Sequence, residues 1–212
     1  MGSARANHTA TLVADGTVLI AGGEVDATGT PTNTAEIYCS AVANPPCAAA
    51  DAGTYKSVMS VMSVARSSHT ATTLQDNRVL IAGGETSGMP TPTASADVYC
   101  AVAAANCASN LGTFQRVGSL VVGRTLHTST LLTDGSALVV GGLGATNTQL
   151  NSSELFDPGA NNFTTDALMS IGRAGATATL LLDGRVLVTG GQTTTGTTTQ
   201  ATKTAEVYQN LP

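Results

Sequence analysis

Three histidines recur at a fixed distance from an arginine, and imidazole can bind a metal ion or act as a general acid or base near neutral pH. His8, His69 and His127 each follow an arginine by three residues, whereas the corresponding residue of a fourth copy is Ala176. The histidines are 61 and 58 residues apart. They therefore belong to separate structural units and converge only if they line a common axis. We predict that they form hydrogen bonds within or between units and hold no metal ion.

Arginines and acids also recur once per copy, and each acid lies two residues before an aromatic residue. A guanidinium group buried in a sheet needs a partner, so we predict a buried ion pair or hydrogen-bond set that joins strands. A group that recurs in every copy is better explained by architecture than by catalysis, and we assign no catalytic residue. The arginines are Arg5, Arg66, Arg124 and Arg173, and the acids are Glu36, Asp97, Glu154 and Glu206.

Double glycines complete the repeat, each pair beginning seventeen residues after an arginine. Glycine permits a close backbone approach and unusual φ and ψ angles, so we expect these pairs to lie where units meet. No helix follows them, which excludes a phosphate site of the kind formed at a helix N-terminus. The pairs are Gly22 and Gly23, Gly83 and Gly84, Gly141 and Gly142, and Gly190 and Gly191.

The segment from each arginine to the double glycine is predicted to form a β-hairpin. Residues 8–13 alternate in character with the period of a strand, Asp15 and Gly16 suit a tight turn, and residues 18–21 form an apolar return strand. The return strands are short apolar runs, which predicts burial on both faces. A third strand carries the acid and the aromatic residue. Weaker fourth strands are predicted at 54–58, 113–117 and 162–165.

Four short antiparallel strands per unit of about fifty residues are typical of a β-propeller blade. The run Arg-x-x-His-Thr-Ala-Thr-Leu-x-x-Asp-Gly-x-Val-Leu-Ile-x-Gly-Gly, followed by Ala-Glu-x-Tyr, resembles the kelch repeats of the galactose-oxidase-like branch over nearly the whole chain. Tyr55, Phe114 and Phe163 take the place of the tryptophan that many kelch units have in the fourth strand. The resemblance implies an all-β propeller segment of four repeats with four-stranded antiparallel blades, the fourth blade lacking its last strand.

We treat residues 1–212 as a single propeller unit, with blades at approximately 5–61, 62–119, 120–168 and 169–212. The first residues align with those before Arg66 and Arg173, so we interpret them as the end of a loop between blades. Exposed sheet edges and apolar faces are a liability. We therefore favour either a piece of a longer polypeptide with six or seven blades, or two copies that close a ring of eight. A closed ring of four blades is the third explanation.

Four cysteines follow the third strands of the first two copies. Two local disulfides, Cys39–Cys47 and Cys100–Cys107, explain the spacing better than a metal site, because Cys-x-x-Cys spacing is absent. Disulfides imply an oxidising compartment. We therefore predict an extracellular or periplasmic protein whose signal is not present in this sequence.

Composition excludes several classes of protein. The net charge of -5 opposes nucleic-acid binding, which needs a basic surface. Hydrophobic residues make up 42% of the chain and charged residues 11%, which argues against intrinsic disorder. No apolar run is long enough for a membrane helix, so we predict no membrane insertion.

The loops after the double glycines differ most between copies, and binding residues concentrate in loops held on a rigid scaffold. Glu24, Asp26, Glu85 and Asn147 are candidate ligand residues, and the threonine-rich loop at 193–204 is predicted to be flexible. We predict a non-catalytic binding or scaffolding module for a protein or a glycan, with no cofactor. The alternative is part of a larger sugar-oxidase-like or sugar-epimerase-like propeller enzyme whose active residues lie outside this chain. The copper motif of galactose-oxidase-like enzymes cannot be matched to the tyrosines and histidines present.

Overall fold

The described part of the chain folds into four antiparallel blade sheets and one two-stranded hairpin, which confirms the all-β prediction. The computed structural model describes residues 1–40, 47–87, 91–101, 107 and 110–209. Within these residues the only helical element is a single 3₁₀ turn at Ala49–Asp51. None of the described helical segments is long and apolar enough to cross a bilayer.

Each of the first three sheets has four strands in chain order, and the fourth has three, as predicted. A separate two-stranded hairpin lies between the second and third strands of the last blade. The strands are β1 (Thr9–Leu12), β2 (Val18–Ala21), β3 (Ala35–Tyr38) and β4 (Tyr55–Ser57); β5 (Thr70–Thr73), β6 (Val79–Ala82), β7 (Ala96–Cys100) and β8 (Thr113–Arg116); β9 (Thr128–Leu131), β10 (Ala137–Val140), β11 (Ser152–Asp157) and β12 (Asn162–Leu168); β13 (Thr177–Leu180), β14 (Val186–Thr189), the hairpin strands β15 (Gln192–Thr195) and β16 (Thr198–Ala201), and β17 (Ala205–Tyr208).

The sheets are arranged as the blades of a propeller. The first strands of successive blades contact one another, β1 with β5, β5 with β9 and β9 with β13, so they surround the axis. The turns that join them to the second strands form as predicted. In the first blade, Asp15 Oδ1 accepts a hydrogen bond from the Thr17 backbone N–H at 2.9 Å, and Gly16 takes a φ of +83°. A side-chain oxygen that caps a turn in this way fixes the hairpin register.

The core consists of three apolar clusters, each between one blade and the next. Strands β6 and β10 are buried at every residue, because each lies between two other blades. Strand β14 is buried only at alternate residues. Its Val186 and Val188 pack on the third blade, whereas no cluster of the described residues covers its other face.

The double glycines lie at these interfaces and leave room for the backbone of the next blade. Gly23 N–H donates to the Arg66 carbonyl at 2.9 Å, and a Cβ atom at Gly22 would lie 2.6 Å from that same oxygen. The same bond recurs from Gly84 to Arg124 and from Gly142 to Arg173. The pairs are therefore required by close packing between blades.

Both predicted disulfides are present, Cys39–Cys47 and Cys100–Cys107, each with its Cα atoms 5.7 Å apart. The half-cystines are buried beside the third strands. The loop residues 41–46, 102–106 and 108–109 lie outside the described part of the chain.

The threonine-rich loop of the last blade forms a β-hairpin instead of the predicted flexible segment. Strand β15 pairs with β16 from Gln192↔Ala201 to Thr195↔Thr198, and Gly196 takes a φ of +64° in the turn. Threonine is β-branched and favours extended backbone, which outweighs the polar character from which flexibility was inferred.

Candidate functional site

The repeated arginines all lie in the interior and bind the repeated acids of their own blades. The Arg–acid nitrogen–oxygen distances are 3.3, 2.6, 2.7 and 2.7 Å from the first blade to the fourth. In the second blade, Arg66 also donates to the Gly83 and Ser95 carbonyls at 3.0 and 2.7 Å. The guanidinium thus bridges the second and third strands of its sheet.

The acids have further partners in the segment that enters each blade. Asp97 accepts hydrogen bonds from the backbone N–H and the hydroxyl of Ser63, at 3.0 and 2.9 Å. Burial lowers the pKa of Arg66, and the charge of Asp97 partly offsets that effect. Each Arg–acid pair therefore attaches the incoming chain to its blade, and its charged groups are engaged within the protein.

Two of the three repeat histidines, His69 and His127, join neighbouring blades through their Nε2 atoms. His69 Nε2 lies 3.0 Å from Thr9 Oγ1 of the preceding blade, and His127 Nε2 lies 2.9 Å from Thr70 Oγ1. Burial lowers the pKa of both imidazoles to about 3, so they are neutral at physiological pH. Within the described residues, no group of three histidines, cysteines or acids is placed to hold a metal ion.

The third interface lacks this bond because Ala176 occupies the histidine position. Thr128 is the equivalent of Thr9 and Thr70, and its buried Oγ1 has no hydrogen-bond partner among the described residues. A buried hydroxyl without a hydrogen-bond partner destabilises the folded state, and a side chain that bonds to it removes that cost.

Ala176→His is therefore expected to stabilise the protein by about 1 kcal/mol, by restoring the bond to Thr128. Urea denaturation monitored by far-UV circular dichroism measures the change. Ala176→Phe is the matched control, since it adds a ring of similar size without a nitrogen. Equal effects from the two variants would show that ring packing, and not the hydrogen bond, stabilises this interface.

The residues before the histidine positions form a chain of backbone hydrogen bonds around the axis. Ser68 N–H donates to the Asn7 carbonyl at 3.0 Å, Leu126 to Ser68 at 3.3 Å, and Gly175 to Leu126 at 2.8 Å. All four residues have positive φ, between +52° and +64°. Together with the histidine positions they line an open concavity of about 290 Å³. Sequence reasoning missed this chain of hydrogen bonds, because the four side chains are unlike one another.

The residues that follow the double glycines pair with the residues directly before these four: Glu24 with Ala6, Glu85 with Ser67, Leu143 with Thr125 and Gln192 with Ala174. We call the opening together with Glu24, Glu85, Leu143 and Gln192 the axial mouth. Asn7 Nδ2 donates to both carboxylate oxygens of Glu24 at 3.1 Å. The hydroxyls of Ser67 and Ser68 each donate to Glu85 Oε1 at 3.4 Å. Burial raises the pKa of Glu85, and the charge of Glu24 adds to the effect. The first two blades thus present carboxylates and the third presents leucines.

The other two candidate ligand residues organise their own loops. Asp26 Oδ1 accepts from the Thr30 and Thr28 backbones at 3.0 Å each, and the Thr30 bond is the main reason that the pKa of Asp26 falls to about 2. Asn147 takes a φ of +57° in a turn closed by its N–H and the Gly144 carbonyl. Of the four candidates, Glu24 and Glu85 are the two that the structure places at the axial mouth.

No protein-family model matches the chain, and a search of curated proteins finds no match. The propeller arrangement and the geometry of the axial mouth are therefore the basis for a functional assignment.

Proposed function

We propose that this chain is a kelch-type propeller module of an exported protein, and that it binds a protein or a carbohydrate without catalysis through the loops that follow its double glycines. The observation that carries the proposal is the axial mouth. There the residues of four separate blades meet around one opening, and their side chains differ from blade to blade. Variable side chains on a repeated scaffold are typical of a binding surface.

The chemistry of the repeat supports a binding role. The arginines, the strand acids and the buried histidines are engaged in bonds that join strands or blades. The loops that follow the first three double glycines contact the segments that enter the next blade, as Thr32 does with Arg66, Thr93 with Arg124 and Leu150 with Arg173. The two disulfides are consistent with an oxidising environment and support export.

The axial mouth favours a ligand that has hydrogen-bond donors on one side and an apolar face on the other. Glu24 and Glu85 offer acceptor oxygens, and Leu126 and Leu143 offer apolar contact. Sugars combine hydroxyl donors with an apolar ring face, and protein side chains offer the same combination. The carboxylates disfavour phosphorylated ligands, because like charges repel.

A glycan array and a pull-down from extracellular material test the proposal. For any ligand found, the double variant Glu24→Gln/Glu85→Gln is expected to weaken binding at least about fivefold, or about 1 kcal/mol. The matched control is Asp183→Asn, which alters an exposed acid in the turn between β13 and β14. Equal loss in both variants, or no loss in the double variant, would contradict a site at the axial mouth.

Glu85→Gln alone is expected to stabilise the protein at pH 7 and to have no effect near pH 3. The pKa of Glu85 is raised in the folded state. Folding therefore favours the protonated form of Glu85. The free energy of unfolding falls as the pH rises from the pKa of Glu85 in the unfolded state through its pKa in the folded state. Because the side chain is only partly buried, the gain is expected to stay within about 0.5 kcal/mol.

Thermal melting at the two pH values measures this difference. Asp183→Asn again serves as the comparison. The pKa of Asp183 is lowered, mainly by its side-chain hydrogen bond to Arg185, so its replacement is expected to remove stability at pH 7. A Glu85→Gln protein that melts lower than the unmodified protein at pH 7 would show that ionised Glu85 stabilises the axial mouth.

A further inference from the structure

The outer edge of the last blade differs from the same edge in the other blades. In the first three blades a fourth strand pairs with the third strand, β4 with β3, β8 with β7 and β12 with β11. In the last blade, β17 pairs with β14, and none of the described residues forms a strand on its other side. This edge lies at the circumference of the propeller, away from the axial mouth.

The fourth strands supply two features that β17 lacks. The first is an aromatic pair between the third and fourth strands. The distance between ring centroids is 5.1 Å for Tyr38 and Tyr55 in the first blade, and 5.1 and 4.9 Å for the corresponding pairs of the next two blades. Tyr208 occupies the same position in β17 and has no aromatic partner among the described residues. Aromatic pairs of this kind contribute beyond the area they bury.

The second feature is a set of backbone hydrogen bonds. In the first blade, Val58 N–H donates to the Ala35 carbonyl and Cys39 N–H donates to the Thr54 carbonyl, both at 2.9 Å. Ala205 and Gln209 are the equivalents of Ala35 and Cys39 in the last blade. Their outward-facing groups are placed to pair with an added antiparallel strand.

A cavity of about 120 Å³ with a mainly apolar lining, to which Ser153, Glu206 and Gln209 also contribute, lies beside this edge. It is lined by Val140, Met169, Val188 and Tyr208, among others. In the second blade, Phe114 packs into the cluster that contains the equivalents of these residues, Ala21, Met62, Ile81 and Tyr99. Leu168, at the border of the cavity, is 70% exposed.

We propose that the edge of β17 binds an extended segment of another polypeptide, which adds to the blade as an antiparallel fourth strand. The segment carries an aromatic residue that fills the cavity against Tyr208 and a valine three residues later. Tyr55 to Val58 and Phe114 to Val117 define this pattern in two complete blades. The registers Tyr38↔Tyr55 and Tyr99↔Phe114 fix its direction. Strand addition to a free sheet edge is an established mode of peptide recognition.

A fluorescent peptide with the sequence of residues 112–119, Gly-Thr-Phe-Gln-Arg-Val-Gly-Ser, tests the proposal by fluorescence anisotropy. It is expected to bind at least about tenfold more tightly than the same peptide with Phe114→Ala. Tyr208→Ala in the protein is expected to remove most of that preference. Leu182→Ala, at a fully exposed leucine outside the cavity, is the matched control and is expected to leave it unchanged.

Hydrogen exchange locates the bound peptide. Binding is expected to slow exchange at the Val207 and Gln209 amides, while the axial mouth is unaffected. The proposal is overturned if the two peptides bind equally, or if protection appears away from β17. Slow exchange of both amides without peptide would also overturn it, because the edge would then be occupied by the chain's own C-terminal residues or by a second copy. Since Glu24→Gln/Glu85→Gln does not alter this edge, failure here is distinct from failure of the proposed function.

Discussion

Arg66→Met is expected to lower the free energy of unfolding by about 3–5 kcal/mol, the cost of breaking a buried ion pair from one side. The side chains of Arg66 and Asp97 are 0% and 1% exposed, and their charged atoms lie 2.6 Å apart. Methionine fills much of the volume but leaves the Asp97 carboxylate buried without its counter-ion. The Gly83 and Ser95 carbonyls also lose their donor. Urea denaturation measures the effect.

Arg185→Met is the matched control, since it breaks an ion pair of similar length in the last blade. Arg185 and Asp183 are 2.7 Å apart but about half exposed, so the loss is expected to stay below about 1 kcal/mol. Arg66→Met/Asp97→Leu is expected to recover part of the stability lost in the single variant, because both charges are then absent. Similar losses at Arg66 and Arg185 would contradict a structural role that depends on burial.

Gly83→Ala is expected to destabilise the protein by about 3 kcal/mol, which combines the steric cost of overpacking with the cost of a positive φ. Gly83 has a φ of +62°, and a Cβ atom there would lie 2.5 Å from the Arg124 carbonyl oxygen and 2.6 Å from His127 Cε1. Both atoms belong to the next blade, so they can move only if the blades separate. Thermal melting and urea denaturation measure the loss.

Gly190→Ala provides a control inside the same repeat. Gly190 has a φ of +65°, but its nearest neighbour to a new Cβ atom is the Thr202 carbonyl oxygen at 3.8 Å. Its substitution is therefore expected to cost only the backbone strain of an alanine at positive φ, about 1–2 kcal/mol. The difference between the two variants isolates the steric contribution of the blade interface. Equal losses would show that backbone strain alone explains the double glycines.

The repeat made most of the architecture predictable from the sequence. The recurrence of Arg, His, Asp-Gly and Gly-Gly predicts the hairpins, the four blades and the three-stranded last blade, because period-two alternation and turn residues are local properties of the chain. The two disulfides were predictable for a similar reason, since each joins cysteines close in sequence. Buried ion pairs were expected because an arginine inside a sheet needs a counter-ion.

Other features depended on which residues meet across blades. The partners of His69 and His127 are threonines 60 and 57 residues away, a pairing set by the stacking of sheets. The axial mouth combines unlike residues from four blades and has no sequence motif. The hairpin at Gln192–Ala201 and the cavity beside Tyr208 also became evident only in three dimensions.

Local periodicity and spacing thus determined what each blade is, because strand, turn and disulfide formation are governed by neighbours in the chain. Only the tertiary structure decided how the blades contact one another. Contacts between sheets depend on register, on close backbone approach and on the side chains that differ between copies of the repeat. The axial mouth and the cavity beside Tyr208 are both of this second kind.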